Sequence, residues 1–340
     1  MKNEKILIIR TDRIGDLTLT LPLASEIKRH KPKSLVYFMV NSYTKPLVEL
    51  NPNIDRIICA DELSLPQLIG LFRKERFEYV LHVFPRSKFA WAAYLSNAKN
   101  RIGTGYRWYS FLFNKKIFEH RKSGEKHELE YNFGLLKFLD LNVLPNYSTV
   151  DFSIHPKKED LIKIESTFRE NGLNNGKPTI IIHPGSGGSA IDLPFEKMEQ
   201  LVKLLAQSLN FNIILTGSKA EKDLCEKLNV SKNVLNFCGK FNLSELVALI
   251  SKADLLIANS TGPIHLAAAL NKYTVGFYPK FNECSAKRWG PYSEKKFIFE
   301  PELNCNNCNR KQCERLNCMK SIDINKVIKT INKIFNSGEE

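Results

Sequence analysis

Short apolar runs alternate with helical patterns along the chain, and this alternation constrains the fold more than any other feature. The runs that read as strands form two series, at 5–10, 34–40, 56–60 and 79–84, and at 179–183, 212–216, 254–258 and 274–278. Helical periodicity fills intervals such as 17–30, 65–76 and 88–95. Strands that alternate with helices favour a parallel sheet covered by helices. The sequence therefore predicts an α/β protein with two such sheets.

The pattern changes between residues 151 and 178, and we place the domain boundary there. A short extended piece at 151–155 is followed by a charged helix at 158–171 and a turn-rich stretch at 172–178. The 340 residues also exceed the roughly 150 that one domain usually holds. The last helix is amphipathic and suits packing on either domain. We predict Rossmann-like domains at 1–155 and 175–325, facing each other across a cleft, and a helix and tail at 326–340.

The charge balance favours anionic partners without choosing among them. Fifty Lys and Arg against 36 Asp and Glu give a formal charge of +14, which suits phosphates, nucleic acid or an anionic membrane face, or merely aids solubility. The basic residues are dispersed and no recognition motif is evident, which disfavours nucleic acid. The stretch 101–126 is rich in basic and aromatic residues, so it is either a contact for a lipid or acceptor or an ordinary surface loop.

Apolar segments long enough for export or anchoring are not seen. The first apolar stretch, 6–9, is shorter than the roughly 7 to 15 residues of a signal-peptide core, and no run approaches the roughly 18 residues of a membrane span. We expect a cytoplasmic protein.

Ligands of open parallel sheets bind beyond the carboxyl ends of the strands, so the loops there are the candidates for chemistry. The first such loop is 10–16, in which Gly15 is expected to permit a tight turn. Asp16 stands at the start of the next helix, where it is either a helix cap or a functional carboxylate. Asp12 is the less favoured functional carboxylate.

Three loops of the second series suit a nucleotide. The loop 183–189 packs three glycines together, which lets backbone N–H groups approach an anion, but it lacks the spacing of a dinucleotide site or a P-loop. In the loop 259–265, Ser260 or Thr261 is expected to cap a helix whose N–H groups suit a diphosphate. In the loop 215–221, Lys219 is available for phosphate and Glu221 for a ribose hydroxyl.

Four motifs occur in a recognisable order: Arg-Thr-Asp-Arg-Ile-Gly-Asp-Leu at 10–17, His-Pro-Gly at 183–185, Leu-Thr-Gly-Ser at 215–218 and Asn-Ser-Thr-Gly-Pro-Ile-His-Leu-Ala at 259–267. Further matching segments are 99–103, 238–245 and 288–291. With these motifs the chain resembles glycosyltransferase family 9, the bacterial ADP-heptose:lipopolysaccharide heptosyltransferases. The resemblance implies a GT-B fold and a metal-independent, inverting transfer that needs no cofactor.

The resemblance also implies a role for individual residues. Asp16 is the catalytic base, ADP-heptose is the expected donor, and a lipopolysaccharide core or related lipid-linked saccharide is the expected acceptor, with contact to the anionic inner membrane. The acceptor-side residues are Arg13, Gly15, Arg86 and Ser87. The residues expected to bind the nucleotide sugar are His183, Gly185, Ser186, Gly187, Thr216, Gly217, Ser218, Glu221, Gly239, Lys240, Leu243, Ser260, Thr261, Gly262, Pro263 and His265. From spacing alone, a structural histidine is the favoured interpretation of His265.

Two departures from the family pattern concern the donor. Many relatives carry Lys or Arg shortly after His-Pro-Gly, where this chain reads Ser-Ala-Ile-Asp-Leu-Pro at 189–194, and many have Asp-Thr-Gly where this chain has Ser260-Thr-Gly262. Lys219, Lys240 or Arg288 is expected to compensate for the missing cation. The alternatives are a different nucleotide sugar and a non-catalytic nucleotide- or carbohydrate-binding protein.

Four of the eight cysteines are clustered near the C-terminus, at Cys305, Cys308, Cys313 and Cys318. Four thiolates suffice for a structural zinc ion, but the usual pair of CxxC knuckles is lacking, so reduced thiols are favoured. The scattered cysteines Cys59, Cys225, Cys238 and Cys284 suit the core.

Overall fold

A computed structural model describes residues 4–173, 176–303 and 308–336. The chain divides into two compact units, residues 1–155 (unit 1) and 156–340 (unit 2). Each unit contains a six-stranded parallel sheet covered by helices. Within the described ranges, none of the helices combines the length and apolarity needed to cross a bilayer.

Unit 1 has the strand order β3-β2-β1-β4-β5-β6. Its strands are β1 Lys5–Ile9, β2 Leu35–Val40, β3 Arg56–Cys59, β4 Tyr79–His82, β5 Asn100–Thr104 and β6 Lys115–Ile117. Its α-helices are α1 Ile14–Thr18, α2 Pro22–His30, α3 Lys45–Val48, α4 Leu65–Glu75, α5 Ser87–Leu95 and α6 Glu128–Phe133. Short 3₁₀ turns occupy Ser42–Thr44, Ser110–Leu112, Arg121–Ser123 and Leu136–Leu139.

Unit 2 repeats this arrangement, with the order β12-β11-β10-β7-β8-β9. Its strands are β7 Thr179–His183, β8 Asn212–Leu215, β9 Val234–Asn236, β10 Leu255–Asn259, β11 Tyr273–Phe277 and β12 Lys296–Phe299. Its α-helices are α7 Lys158–Glu170, α8 Phe195–Ser208, α9 Lys222–Leu228, α10 Leu243–Ser251, α11 Gly262–Ala269, α12 Ala286–Trp289, α13 Arg310–Leu316 and α14 Ile324–Asn336. Its 3₁₀ turns are Lys219–Glu221, Asn282–Cys284 and Cys318–Ser321.

The predicted helix at 17–30 is in fact two helices, which corrects the sequence interpretation. Pro22 is the first residue of α2, and α1 has already ended at Thr18. A proline in a helix interior lacks an N–H donor and its ring clashes with the carbonyl four residues earlier. Pro22 therefore starts a new helix.

Four strands near the sheet edges were missed from the sequence, namely β5, β6, β9 and β12. They are three to five residues long and carry exposed or half-buried side chains, as at Lys115 and Lys116 in β6. A short edge strand without a buried apolar run has the sequence pattern of a loop. It forms because the neighbouring strand offers backbone groups to pair with, and this leaves no periodic signal in its own sequence.

The last helix, α14, packs on unit 2. Val327 and Ile331 are fully buried and join the same apolar core as Leu201 and Leu205 of α8. The amphipathic pattern, which suited either domain, is thereby assigned to one partner.

Three of the four C-terminal cysteines lie within the described residues, namely Cys308, Cys313 and Cys318. Cys313 and Cys318 are buried beside Phe281, and Cys308 is half-buried. Cys305 lies outside the described residues. Among the residues that are described, no three His, Cys, Asp or Glu side chains converge in a way that suits a metal ion.

Candidate functional site

Both sheets reverse their strand order at one point, and the candidate loops start there. The reversal falls between β1 and β4 in unit 1, and between β7 and β10 in unit 2. The loops that leave the strands on each side of such a point diverge and leave a crevice for ligands. The loop at 10–16 therefore occupies the ligand position of unit 1, and the loops at 183–189 and 259–262 occupy that of unit 2.

Arg10, directly after β1, organises the site of unit 1. Its side chain is only 2% exposed and donates to Asp12 at 2.7 Å, to Asp16, and to Glu128 at 3.4 Å. Burial opposes a charge, but the attraction of the three carboxylates outweighs it and raises the pKa of the guanidinium. Arg10 is thus a permanent cation around which three carboxylates are fixed.

Asp16 lies in the first turn of α1, and not at its cap. The N-cap position belongs to Arg13, which is exposed, and Gly15 is buried inside the helix. Gly15 therefore does not form the predicted tight turn, since its φ is not in the left-handed range. The side chain of Asp16 is 18% exposed against 2% for Arg10. The carboxylate of Asp16 is therefore bonded to a buried cation, Arg10, and is still partly exposed to solvent.

Asp12 shares the same cation in a different environment. Burial, together with the repulsion of Asp16, raises the pKa of Asp12 to about 7, against the attraction of Arg10. The hydroxyl of Tyr43 donates to the backbone carbonyl of Asp12. Of the three carboxylates on Arg10, Asp12 therefore takes up a proton near neutral pH.

A second arginine completes this network. Glu128 of α6 accepts from Arg10 and, at 2.5 Å, from Arg121. Arg121 also donates to Asn132 at 3.0 Å, and Asn132 donates to the carbonyl of Leu19 at 3.0 Å. These bonds tie the end of α1 to α6. Sequence reasoning missed both Arg10 and Glu128, although an arginine that ends an apolar strand was a usable signal.

Arg86 and Ser87 follow β4, the strand next to β1. The guanidinium carbon of Arg86 lies 4.4 Å from the centre of the Phe84 ring, and that of Arg10 lies 5.9 Å from the same ring. Phe84 thus joins the loop after β4 to the loop that carries Asp16. Ser87 is the first residue of α5.

In unit 2, Asn259 ties two of the predicted loops together. It is fully buried at the end of β10, donates to the carbonyl of Pro184 at 2.5 Å and accepts from the N–H of Leu193 at 2.8 Å. Ser189 donates to the carbonyl of Ser260 at 3.0 Å. The loops after β7 and β10 are therefore held side by side. Asn259 belongs to a quoted motif, but sequence reasoning gave it no role.

His183, Thr216 and Glu221 join the third loop to the first. Nδ1 of His183 and the hydroxyl of Thr216 are hydrogen-bonded at 3.0 Å, and Glu221 accepts from the N–H of Ser218 at 2.7 Å. Burial lowers the pKa of His183 although Glu221 lies 4.0 Å away. His183 is therefore uncharged at neutral pH. Glu221, expected to bind ribose, caps its own loop.

The glycines of these loops are required by close approach or backbone shape. A Cβ on Gly185 would lie 1.9 Å from a carboxylate oxygen of Glu221, and one on Gly217 would lie 2.9 Å from the sulfur of Cys238. Gly187 and Gly188 have φ of 55° and 73°, and nothing lies within 4 Å of a Cβ built on either. The turn after Ser186 therefore borders open space, as an anion site requires.

The segment after β9 adjoins the loop after β8. Gly239, with φ of 69°, donates to the carbonyl of Gly217 at 2.9 Å and packs beside Lys219. Lys240 lies 4.9 Å from the centre of the Phe237 ring, and Leu243 is the first residue of α10. Because β9 is the edge strand, Lys240 and Leu243 lie two strands away from β7.

Thr261 occupies the N-cap position of α11, but its side chain makes no capping hydrogen bond, which corrects the predicted capping by Ser260 or Thr261. Its backbone is extended, with φ of −145°. Gly262 and Pro263 open the helix, and His265 is buried with its ring 6.5 Å from that of Trp289. The first-turn N–H groups of α11 are therefore not satisfied by a side-chain cap.

The loop after β7 lacks the Lys or Arg that many relatives carry, but a cation from another part of the chain contacts it. Arg310 of α13 donates to the carbonyls of Gly188 and Ala190, both at 3.3 Å. Burial raises the pKa of nearby Asp192, which accepts from the N–H of Ser186 at 3.3 Å. Arg288, one of the expected substitutes, stacks on Trp289 at 4.9 Å instead. No sequence signal pointed to Arg310, because it lies 120 residues away from Ala190.

Unit 1 has a carboxylate that reaches solvent and unit 2 has loops that suit an anion, and a nucleotide-sugar-dependent transferase needs both kinds of site. The family model of glycosyltransferase family 9 (heptosyltransferase) matches residues 67–319. A Haemophilus influenzae protein with only a provisional name, as a glycosyltransferase, is 31% identical over 86% of this chain and 87% of its own length. The chain belongs to glycosyltransferase family 9, which confirms the predicted family.

Further comparisons agree with this assignment. Lipopolysaccharide heptosyltransferase 1 of Campylobacter coli is 25% identical over 81% of this chain and 83% of its own length. The structure of Escherichia coli ADP-heptose lipopolysaccharide heptosyltransferase II superimposes with a TM-score of 0.78 at 20% identity, over 99% of this chain and 100% of that chain. The iron-containing glycosyltransferase TibC of E. coli gives a TM-score of 0.59 at 16% identity, over 99% and 78%. The predicted GT-B fold class is confirmed.

Proposed function

We propose that this glycosyltransferase moves a heptose from ADP-heptose to a lipopolysaccharide core or a related lipid-linked saccharide, with inversion at the anomeric carbon. The names of the C. coli relative and the E. coli neighbour support both substrates. We also propose that the reaction needs no metal ion, and that the chain works in the cytoplasm in contact with the anionic inner membrane. Its charge of +14 supports that contact.

The observation that carries the proposal is the carboxylate of Asp16 on buried Arg10. In this proposal Asp16 accepts the proton of the acceptor hydroxyl as that oxygen attacks the anomeric carbon, and ADP departs with the electron pair of the broken bond. Arg10 fixes the direction of the carboxylate. The partial exposure of Asp16 gives the acceptor access to it.

Unit 2 is proposed to bind the donor. The open turn at 186–188 and the first turn of α11 offer backbone N–H groups to the diphosphate, whose negative charge grows as the sugar leaves. The segment at 216–221 and Gly239 are proposed to line the adenosine. Neutral His183 contributes no positive charge to this site. We propose that the backbone N–H groups stabilise the negative charge of the diphosphate, together with Arg310, which is bonded to the loop at Gly188.

Two residues favour a second candidate, a transferase that uses another nucleotide sugar. Ser260 replaces the carboxylate found in many relatives, and half-buried Asp192 stands in the segment where they carry a cation. Both changes alter which sugar hydroxyls and charges the donor loops accept.

The test compares two isosteric variants, Asp16→Asn and Asp12→Asn, in a transfer assay with a lipopolysaccharide-core acceptor and a metal chelator. Each amide keeps an oxygen for Arg10 and removes only the basic carboxylate. Asp16→Asn is expected to lower kcat by about 10²- to 10⁴-fold with the Kd for donor unchanged, and Asp12→Asn by about tenfold at most.

A greater loss in Asp12→Asn would reverse the assignment of the base. A calorimetric screen of ADP-heptose against UDP- and GDP-sugars tests the donor, and binding of a UDP- or GDP-sugar alone would select the second candidate. Loss of wild-type activity in chelator, restored by a divalent ion, would end the metal-independent mechanism.

A further inference from the structure

Unit 1 exposes the three most exposed aromatic side chains of the described chain within one short stretch. Trp108, Phe111 and Phe118 are 74%, 61% and 63% exposed. Tyr94 and Tyr106, at 43% and 47%, belong to the same region. Large apolar side chains exposed singly are ordinary, but a group of them marks a site of interaction.

Each exposed ring contacts a second aromatic ring, and two of these partners, Trp91 and Tyr109, belong to one apolar cluster. The ring of Phe111 lies 6.0 Å from that of Trp91, Tyr106 lies 5.6 Å from Phe118, and Trp108 lies 5.4 Å from Tyr109. Tyr109 is buried, so it anchors the stretch to the core. We call Tyr94, Tyr106, Trp108, Phe111 and Phe118, with the basic residues described next, the aromatic–basic surface.

The loop beneath these rings has a defined shape. The hydroxyl of Ser110 donates to the carbonyl of Thr104 at 2.7 Å and accepts from the N–H of Arg107 at 2.9 Å. Phe118 lies so close over Gly105 that a Cβ there would be 2.2 Å from the phenyl ring. The rings are therefore held outward by a folded loop.

The sequence that carries this surface is basic up to Phe118, and Glu119 follows it. The forty residues from Tyr79 to Phe118 contain no Asp or Glu, although the chain has 36 of them, and contain seven Lys or Arg. Arg107, Lys115 and Lys116 are exposed and flank the rings in sequence. Lys115 and Lys116 belong to edge strand β6.

We propose that the aromatic–basic surface docks unit 1 onto an anionic lipid bilayer. Aromatic rings partition into the interface of a bilayer, and each nearby Lys or Arg adds up to about 1 kcal/mol on anionic lipid. Phe111 and Phe118 have no hydrogen-bonding atom for a sugar hydroxyl and can contact a saccharide only by stacking, whereas acyl chains can surround the whole ring. Such docking brings the proposed base to a lipid-linked acceptor, and only this catalytic consequence rests on the proposed function.

The test measures sedimentation of the full chain with vesicles of phosphatidylcholine alone and with vesicles that also contain phosphatidylglycerol. Binding to the anionic vesicles that weakens as salt rises is expected. The triple variant Trp108→Ser, Phe111→Ser, Phe118→Ser and the double variant Lys115→Glu, Lys116→Glu are each expected to lower the partition coefficient by about tenfold or more. Thermal unfolding of each variant checks that the fold is kept.

Matched controls change exposed residues elsewhere. Leu144→Ser with Ile162→Ser removes side chains that are 90% and 56% exposed, and Lys33→Glu with Lys74→Glu reverses two exposed charges of unit 1. These controls are expected to keep at least about half of the binding of the wild type. Equal losses in the charge control and in the Lys115, Lys116 variant would show general attraction and overturn the proposal.

Two further outcomes would also overturn it. One is the absence of binding by the wild type to anionic vesicles. The other is unchanged vesicle binding in the triple variant together with a raised KM for a lipid-free oligosaccharide acceptor, which would assign the surface to the saccharide. Vesicle binding is measured without donor or acceptor. It therefore tests the docking surface even if the chain does not catalyse the proposed transfer.

Discussion

The candidate sites of the two units are held together by different kinds of interaction. In unit 1, Arg10 and Arg121 are bonded to carboxylates, so that charge pairs fix the geometry. In unit 2, the loops are joined by amides, hydroxyls and close packing, as at Asn259, Thr216 and Gly185. His183, which is hydrogen-bonded to Thr216, is kept neutral by burial.

This difference matches what each unit is proposed to do. A base needs a carboxylate whose direction and charge are fixed, and a buried arginine supplies both. A site for a diphosphate needs N–H groups that can approach the anion closely, and tight glycine turns supply them. We therefore expect unit 1 to be sensitive to changes of charge, and unit 2 to be sensitive to changes of volume.

The largest effect is expected from Arg10→Met, which removes the charge and keeps an apolar side chain. Asp12, Asp16 and Glu128 would be left without their shared cation, and breaking a buried pair in this way costs about 3–5 kcal/mol. Urea unfolding should show a loss of this size, and the transfer rate should fall with it.

Arg10→Lys provides the control for this variant. It keeps a charge but has one nitrogen instead of a fork, so it cannot bond three carboxylates in the same geometry. It should recover most of the stability but only part of kcat. Full recovery of kcat would show that Arg10 supplies charge alone and does not orient Asp16.

An intermediate effect is expected from Gly185→Ala in unit 2. The new methyl group would collide with the carboxylate of Glu221, so that side chain must give up its bond to Ser218 or the loop must move. Overpacking costs about 1–3 kcal/mol, and the affinity for the donor should fall by about tenfold in calorimetry.

Gly70→Ala is the control, because nothing lies within 4 Å of a Cβ at that helical position. It should leave stability and donor affinity unchanged or slightly improved. In addition, Glu221→Ala should cost less stability in the Gly185→Ala background than in the wild type. Strict additivity would mean that the two residues do not collide.

The smallest effect concerns acid stability and His82 of β4. Both ring nitrogens are buried without a hydrogen-bond partner, and burial, with the repulsion of Arg101, lowers the pKa of His82 to about 3. The unfolded chain takes up this proton near pH 6.5 and the folded chain does not. Stability is therefore lost as pH falls below about 6.5, by about 1.4 kcal/mol per pH unit until the folded pKa is reached.

His82→Phe should remove this slope. The free energy of unfolding at pH 7 minus that at pH 5.5 should become about 1 kcal/mol smaller than in the wild type. The exposed His155→Gln should keep the wild-type difference. An unchanged difference in His82→Phe would mean that the folded protein accommodates the protonated ring.

The glycines show how much of the site was predictable. Local rules found the turn at 183–189 and the segment at 215–221, because clustered glycines after an apolar strand report a close approach of backbone. The same rules misjudged Gly15, which is helical, and Thr261, which does not cap. The type of a residue limits which backbone conformations and hydrogen bonds are possible. The surrounding structure decides which of them is adopted.

The sequence by itself determined the two strand–helix series, the family, the loop that carries Asp16 and the glycine turns of unit 2. These are local properties, since periodicity and turn residues act within a few positions. Tertiary structure alone decided that Arg10 meets Glu128, 118 positions away, and that Arg310 reaches Gly188 across 122 positions. Such pairs depend on which strands become neighbours in a sheet, and hydrogen bonding between backbones sets that order without leaving a local pattern.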